Sequence, residues 1–249
     1  MPVEGTTWLR PLRVAPAARA VVVCFPPGGG SAGAYRALAK QIADGISVYA
    51  VQYPGRQDRL GDPLVTSLAE LAEYVTADLL SWGALPNLAL FGHSMGATVG
   101  FEVARRLQSK DRDLLRLFVS GRIAPDAPNR GRLHTGSDAD LIADLERLAN
   151  DPSSLAVLRA EQALAEVVLP PLRADYQAVE TYVFEAREKL RCPVSVMLGD
   201  ADPTVTVVQA GEWRAHTDGE FELTTFPGRH FYLDEHVSEV AAHLASRLG

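Results

Sequence analysis

The sequence predicts an α/β protein with a mostly parallel sheet covered by helices on both faces. Three observations predict it. Short apolar runs alternate with longer helical patterns, the runs mostly lack polar residues at alternate positions, and 47% of the 249 residues are hydrophobic. Runs of this kind are typical of strands buried on both faces of a parallel sheet, and strand–helix alternation produces right-handed crossover units. An apolar content of about 45–50% is enough to bury a sizeable core.

Apolar runs rich in Val, Leu and Phe are the predicted strands, and the amphipathic segments between them are the predicted helices. The strands are expected at residues 20–25, 47–52, 88–92, 115–120, 194–198 and 222–226. The helices are expected at residues 32–43, 68–80, 97–108, 207–215 and 235–247.

Between residues 124 and 190 the alternation stops and only helical periodicity remains. Helices are predicted there at 137–150, 153–166 and 172–188, with breaks at Asp151-Pro152 and Leu169-Pro170-Pro171. The first of these helices carries an apolar stripe, formed by Leu141, Leu145 and Leu148. An all-helical insertion between two strands suggests a cap or lid within a single domain of residues 1–249.

Composition and charge exclude several classes of protein. Acidic residues outnumber basic ones by 31 to 24, and the resulting charge of -7 is unfavourable for general nucleic-acid binding. Cys24 and Cys192 are too few and too far apart for a disulfide framework or a zinc site, and their apolar neighbours predict buried free thiols. Without an apolar stretch of signal-peptide or membrane-span length, we expect a cytoplasmic protein.

The candidate nucleophile is Ser94, in the sequence Gly92-His93-Ser94-Met95-Gly96 between a predicted strand and a predicted helix. The motif G-x-S-x-G in this setting is typical of a sharp turn that exposes a serine hydroxyl at the end of a strand. The flanking positions must be glycine, because side chains there would collide. The Met95 N–H, one residue beyond the serine, can then point at a developing oxyanion.

A serine nucleophile needs a base, and His230 is the best candidate. It lies between a predicted strand and the last predicted helix, late in the chain, where the order Ser…Asp…His places the base. His93 precedes the nucleophile and is expected to point the other way along the turn. The remaining histidines lie in a polar stretch or in helical patterns typical of the surface, at His134, His216, His236 and His243.

The carboxylate that orients the base is expected in Gly199-Asp200-Ala201-Asp202-Pro203, directly after a predicted strand. Asp202 is preferred because of its G-x-x-D spacing and the apolar Val205 three residues on. Asp200 remains the alternative. The carboxylate that does not orient the histidine is expected to cap the helix that follows.

The second oxyanion donor is expected in the loop after the first predicted strand, Phe25-Pro26-Pro27-Gly28-Gly29-Gly30-Ser31. Glycines let the backbone approach a ligand closely. Because proline has no N–H, Gly28 is the first available donor. Neither a Walker lysine nor G-x-G-x-x-G with an acidic partner is present, so a phosphate loop is not indicated.

Several motifs together resemble those of one family. They are Phe25-Pro26-Pro27-Gly28-Gly29-Gly30-Ser31, Tyr53-Pro54-Gly55-Arg56-Gln57-Asp58-Arg59, Gly92-His93-Ser94-Met95-Gly96, Leu172-Arg173-Ala174-Asp175-Tyr176 with Glu180-Thr181-Tyr182, and Gly228-Arg229-His230-Phe231-Tyr232-Leu233. On these motifs, which span essentially the whole chain, the protein resembles the type II thioesterases that accompany modular polyketide and nonribosomal peptide synthases. Pro27-Gly28 stands where that family usually has His-Ala, so the oxyanion donor is the least firmly placed residue.

The resemblance implies an α/β-hydrolase fold with a helical lid over about residues 124–190. It implies hydrolysis of acyl groups from the phosphopantetheine thiol of acyl or peptidyl carrier proteins, which removes aberrant or stalled acyl units. Ser94 would be acylated, Met95 and Gly28 would hold the oxyanion, and His230 would assist hydrolysis. The resemblance implies that no metal or organic cofactor is required. From the charge and the lack of a long apolar run we expect no nucleic-acid or membrane partner, and we expect a monomer.

Arginines near the start of the expected lid are candidate contacts for an acidic carrier protein, at Arg122, Arg130 and Arg132. Two other classes of function remain open on the same fold. One is an enzyme with another substrate: a small-molecule carboxylesterase, a synthase-integrated cyclising thioesterase or a medium-chain acyl-carrier-protein hydrolase. The other is a non-catalytic binding protein. The presence of Ser, Asp and His in order argues against the binding protein.

Overall fold

A computed structural model describes residues 8–83, 87–128 and 131–249. A seven-stranded sheet forms its centre. The strands are β1 (Leu9–Arg13), β2 (Ala20–Phe25), β3 (Ile46–Val51), β4 (Leu88–His93), β5 (Arg116–Ser120), β6 (Val194–Gly199) and β7 (Phe221–Phe226). Six of them match predicted runs to within one residue at each end. Their order across the sheet is β1-β3-β2-β4-β5-β6-β7.

All neighbouring strands are parallel except β1 and β3, which are antiparallel. The α/β class and the mostly parallel sheet are therefore confirmed. Strand β1 was not predicted, because Leu9-Arg10-Pro11-Leu12-Arg13 has no continuous apolar run. An edge strand buries only part of its surface, and it tolerates arginine and proline that an inner strand would exclude.

The helices lie on both faces of the sheet and in the insertion. They are α1 (Arg36–Gln41), α2 (Leu68–Ser81), α3 (Met95–Gln108), α4 (Asp138–Leu148), α5 (Val157–Ala160), α6 (Gln162–Glu180), α7 (Val207–Gly211), α8 (Tyr232–Glu235) and α9 (Val237–Ala245). Helices α2 and α3 share one buried apolar cluster with one face of the sheet, and α1 and α9 share a second cluster with the other face. The sheet is thus buried between two helical layers, as predicted.

Helices α4, α5 and α6 lie between β5 and β6 and have a small apolar cluster of their own. The predicted break at Pro170-Pro171 is wrong, because α6 runs through both prolines. The two missing N–H groups leave the carbonyls of Glu166 and Val167 without helical partners. Both of those residues are exposed, so this turn of the helix is open to water, whereas Leu169, Pro171 and Leu172 are buried.

The predicted helix at 172–188 ends earlier than expected, at Glu180. Residues 181–189 are extended along α3, where the Tyr182 hydroxyl donates to Glu102 at 2.9 Å and Phe184 packs near Phe101. These tertiary contacts override the helical periodicity. Among the described residues, no helix is long and apolar enough to cross a membrane.

Candidate active site

Ser94 lies at the turn between β4 and α3, in the strand–turn–helix arrangement that the sequence predicts. Its backbone has φ 54° and ψ −120°, a conformation that costs a non-glycine residue about 1–3 kcal/mol. Its N–H donates to the Ser120 carbonyl at 2.8 Å. A Cβ at Gly92 would lie 2.2 Å from a backbone oxygen of the turn, and one at Gly96 would lie 2.0 Å from the Phe25 carbonyl oxygen. Glycine at both positions therefore permits the turn.

His230 lies in the loop between β7 and α8, and its ring contacts Asp202. The His230 Nδ1 and the Asp202 Oδ2 are 2.8 Å apart, with side chains 2% and 0% exposed. The other carboxylate oxygen, Oδ1, accepts from the Thr204 N–H at 2.8 Å and the Thr204 hydroxyl at 2.7 Å. Burial by itself raises the pKa of Asp202, but the hydrogen bonds from His230 and Thr204 and the charge of His230 hold it below its usual range. Asp202 therefore stays ionised at neutral pH.

Asp200, the alternative acid, points to a different part of the same loop. Its Oδ1 accepts from the Gly228 N–H at 3.0 Å, so it ties the loop that carries His230 to the end of β6. The expectation that it would cap the next helix is wrong. Thr206 caps α7, in a capping box with Gln209.

Gly28 lies in a tight turn after β2. The Gly30 N–H donates to the Pro27 carbonyl at 2.9 Å, and Gly29 has φ 73°. This pattern is a type II turn, which requires positive φ at its third residue and so favours glycine there. Within the described part of the chain, neither the Gly28 N–H nor the Met95 N–H has a protein acceptor.

A cavity of about 200 Å³ lies between the carboxyl ends of the strands and the inserted helices. Ser94, Met95, Gly28 and His230 all contribute to its wall, whereas Asp202 lies behind His230. The apolar part of the wall is formed by Ile123, Leu133, Leu145, Leu148, Val179 and Phe231.

The leucines of the apolar stripe predicted on the first inserted helix lie in two different environments. Leu145 and Leu148 line the cavity, whereas Leu141 packs inside the cluster of the insertion. The insertion thus contributes apolar wall to the cavity.

His93 lies beneath His230, with ring centroids 4.8 Å apart. Its Nδ1 is 2.9 Å from the Ser120 Oγ, which in turn is 2.7 Å from the Tyr232 hydroxyl. Burial and the nearby His230 hold the pKa of His93 well below its usual range, so its ring is neutral. Because the His93 ring is neutral, it does not repel His230 electrostatically when His230 takes up a proton.

Two residues that were expected at the surface, His216 and Arg122, point into the protein. His216 is buried, with its ring packed against Trp213 and its Nε2 2.9 Å from the Asp126 carboxylate. Arg122 is turned inward, where its Nε donates to the Thr98 hydroxyl at 3.0 Å. Arg132 is exposed. Arg130 lies outside the described residues.

Two residues of the cavity wall, Asp175 and Thr204, were not predicted as site residues from the sequence. Asp175 on α6 lines the cavity and contacts the buried Arg56. Thr204 lies 3.2 Å from the His230 Nδ1 through its hydroxyl and also lines the cavity. The motifs that contain Arg56 and Asp175 were visible in the sequence, but nothing in them showed that the two side chains meet.

Comparison with known proteins settles the family. The sequence profile of the thioesterase domain matches residues 20–248. This chain belongs to the thioesterase family. The thioesterase is 38% identical over 248 residues to thioesterase PikA5 of Streptomyces venezuelae, with 99% of this chain and 87% of that protein covered. It is 40% identical over 241 residues to a probable cadicidin biosynthesis thioesterase of Streptomyces griseus, with 97% of this chain and 66% of that protein covered.

Solved structures agree with the sequence relatives. The type II thioesterase BorB from the borrelidin biosynthetic cluster is similar to this thioesterase with a TM-score of 0.88 and 40% identity, over 99% of this chain and 100% of that one. The resemblance to type II thioesterases and the α/β-hydrolase fold are therefore confirmed.

Proposed function

We propose that the thioesterase hydrolyses acyl groups from the phosphopantetheine thiol of acyl or peptidyl carrier proteins, as an editing enzyme of polyketide or nonribosomal peptide synthesis. One observation carries the proposal. One cavity with an apolar wall is lined by Ser94 on its strained turn, by His230 with Asp202 behind it, and by Gly28 and Met95. Within the described residues, the N–H groups of Gly28 and Met95 have no protein acceptor. The family and its relatives supply the thioester as substrate class.

In the proposed first half-reaction, the Ser94 hydroxyl oxygen attacks the thioester carbonyl carbon while His230 takes the hydroxyl proton at Nε2. The carbonyl oxygen becomes an oxyanion, which the Met95 and Gly28 N–H groups stabilise. Asp202 accepts a hydrogen bond from the Nδ1–H of His230, which keeps the proton on Nδ1 and leaves Nε2 free to act as base. Collapse of the tetrahedral adduct breaks the carbon–sulfur bond, and the departing thiolate takes the proton from His230.

In the second half-reaction, a water molecule attacks the acyl–Ser94 ester and His230 takes a proton from that water. The second oxyanion occupies the same site as the first. Its collapse restores the serine hydroxyl with the proton held by His230 and releases the carboxylic acid. The apolar wall from Ile123, Leu145 and Leu148 suits the hydrocarbon part of an acyl group.

The test compares one acyl group in three forms: loaded on a carrier protein, as a pantetheine thioester, and as an oxygen ester. Release of the acid is followed by mass spectrometry. We expect the carrier-bound thioester to have the highest kcat/KM. A faster oxygen ester would instead favour the carboxylesterase, and equal rates for carrier and pantetheine thioesters would remove the carrier protein from the proposal.

The variant Ser94→Ala separates the chemistry from binding. Loss of a triad serine costs about 10⁶ in kcat in a measured protease, and we expect a loss of that order here with an unchanged circular dichroism spectrum. A folded Ser94→Ala protein with near-normal turnover would contradict the acyl-enzyme mechanism and favour another role for the site.

A further inference from the structure

Asp175 joins three separate segments beside the candidate oxyanion site. Its Oδ2 accepts from the Gly29 N–H at 2.7 Å, in the turn after β2, and from the Arg56 Nη2 at 2.5 Å, in the loop after β3. Asp175 itself belongs to α6, in the helical insertion. The side chains of Asp175 and Arg56 are 4% and 9% exposed, so the junction is buried.

Stability alone is a weak explanation for this ion pair. Removing two charges from water costs about as much as their attraction returns, and apolar residues of similar volume are often equally stabilising. Burial raises the pKa of Asp175 to about 6, against the opposing effects of Arg56 and the Gly29 N–H. In addition, the Arg56 Nε and Nη1 are buried without a partner among the described residues. The arrangement is therefore costly, and the turn that it holds is the candidate oxyanion loop.

In the turn that Asp175 contacts, one peptide group can rotate at little cost in free energy, which reverses the direction of its N–H and carbonyl. This central peptide lies between Gly28 and Gly29, and rotation of that peptide exchanges a type II turn for a type I turn. Two glycines offer no side-chain resistance to the rotation. The rotated peptide would point the Gly28 carbonyl, instead of the Gly29 N–H, at the Asp175 carboxylate.

The rest of the loop is held from the opposite side. The Gln52 Oε1 accepts from the Ala32 N–H at 3.1 Å, and the Gln52 Nε2 donates to the Arg56 carbonyl at 3.2 Å. Gln52 thus anchors the end of the loop near Ala32, and Asp175 contacts the same loop at the Gly28–Gly29 peptide.

We propose that Asp175 is a positioning residue that holds the turn of residues 27–30 against rotation of its central peptide, with Arg56 holding the carboxylate in place. The held turn keeps the Gly28 N–H, which belongs to the adjoining Pro27–Gly28 peptide, in the position required for a formed oxyanion hole. The proposal rests on the function proposed above. It also makes the oxyanion hole dependent on α6: the helix must be seated for its carboxylate to reach the turn. The contact acts on the transition state, so its loss lowers kcat with little effect on KM.

The first test is Asp175→Asn, assayed with a pantetheine thioester. An asparagine keeps the shape and one acceptor oxygen but loses the charge that holds Arg56. Removal of one oxyanion donor costs about 10²–10³ in kcat, and displacement of a donor costs part of that. We expect kcat to fall about 10-fold or more, with KM within about 3-fold of the wild-type value.

A matched control comes from a second buried ion pair. Glu102, with its side chain 8% exposed, contacts Arg105 and Arg106 on α3 and accepts from the Tyr182 hydroxyl, away from the cavity. Glu102→Gln makes the same acid-to-amide change in a similarly buried network. We expect it to lower the midpoint of thermal unfolding while kcat stays within about 2-fold of the wild-type value.

A transition-state analogue distinguishes positioning from a general structural defect. A pantetheine trifluoromethyl ketone forms a tetrahedral oxyanion with Ser94, whereas the corresponding amide binds without forming one. Asp175→Asn should weaken the ketone by the same factor as kcat and leave the amide within about 3-fold. Equal weakening of both inhibitors would show that the cavity itself is distorted and would overturn the proposal.

A second variant guards against a folding failure of the first. Arg56→Met with Asp175→Leu replaces the ion pair by apolar side chains and leaves no unpaired buried charge. We expect it to fold and to lose about 100-fold in kcat. Normal kcat in this double variant, with the wild type active, overturns the role of Asp175 but not the proposed function. A wild-type protein that cleaves no thioester overturns the proposed function.

Discussion

The change Asp202→Asn tests the candidate acid through the tautomer of His230. In the structure one carboxylate oxygen accepts two hydrogen bonds from Thr204, and the other contacts the His230 Nδ1. An asparagine has a single acceptor oxygen. If that oxygen stays with Thr204, the amide NH₂ faces His230 and can only donate. The His230 Nδ1 must then be the unprotonated nitrogen, and the proton moves to the Nε2 that should act as base.

The expected loss of kcat follows from this change in the tautomer of His230. In a serine protease the same acid-to-amide change lowers kcat by about 10⁴, which corresponds to about 5.5 kcal/mol of activation free energy. Because Thr204 fixes the amide orientation with two hydrogen bonds, we expect a loss of about 10³–10⁴ in kcat here. The assay is hydrolysis of a pantetheine thioester under saturating conditions. Circular dichroism and a thermal unfolding curve establish that the variant is folded.

Asp200→Asn is the matched control, because it makes the same change two residues away. The Gly228 N–H needs only an acceptor, and an asparagine oxygen can supply it. We expect kcat to fall by less than about 10-fold, since a neutral acceptor holds the loop less firmly than a carboxylate. The reasoning is refuted if folded Asp202→Asn retains more than a tenth of wild-type kcat, or if Asp200→Asn is the more damaging change.

Three further predictions concern the turn, the pH dependence of stability and the candidate docking surface. Gly96→Ala places a Cβ 2.0 Å from a backbone oxygen and should abolish activity or folding, whereas Gly100→Ala on the same helix meets nothing closer than 3.5 Å. We expect the Gly100 variant to be at least as stable as the wild type in urea unfolding, because alanine favours a helix. Arg247 contributes most to lowering the pKa of Glu222 from 4.5 to about 2, so this contact stabilises the folded state above pH 4.5 and is lost as the pH falls towards 2. Because Glu222 is partly exposed, we expect its contact with Arg247 to contribute about 1–2 kcal/mol to the free energy of unfolding. Between pH 4.5 and 2 the free energy of unfolding of Glu222→Gln should therefore fall less steeply than that of the wild type. An unchanged slope would argue against this contribution. Arg132→Glu should raise KM for acyl-carrier substrates but not for a pantetheine thioester, and added salt should reduce the difference; equal effects on both substrates would remove this residue from docking.

Much of the candidate site could be predicted because its determinants are local in sequence. A glycine on either side of Ser94 is required by backbone contacts within the turn itself. The inner strands are continuous apolar runs because both their faces are buried. His230 was selected from its place between a strand and the last helix, and the structure places it on the cavity that Ser94 lines. Their chemical roles stay predictions until the variants are measured.

Other features depended on contacts between residues far apart in the chain. Helix α6 continues through Pro170 and Pro171 because Leu169 and Leu172 pack in the apolar cluster of the insertion, while Glu166 and Val167, whose carbonyls lose their helical partners, are exposed. Which aspartate meets His230 depended on the direction of two side chains in one loop, and spacing alone only favoured Asp202.

By itself, the sequence determined the α/β class, the inner strands and the strained turn at Ser94, since each follows from the burial or sterics of neighbouring residues. Only the tertiary structure decided that Asp175 meets Arg56, 119 positions away, and that its carboxylate accepts from the Gly29 N–H. A buried charge must find its partner in space, and no local pattern specifies where that partner lies.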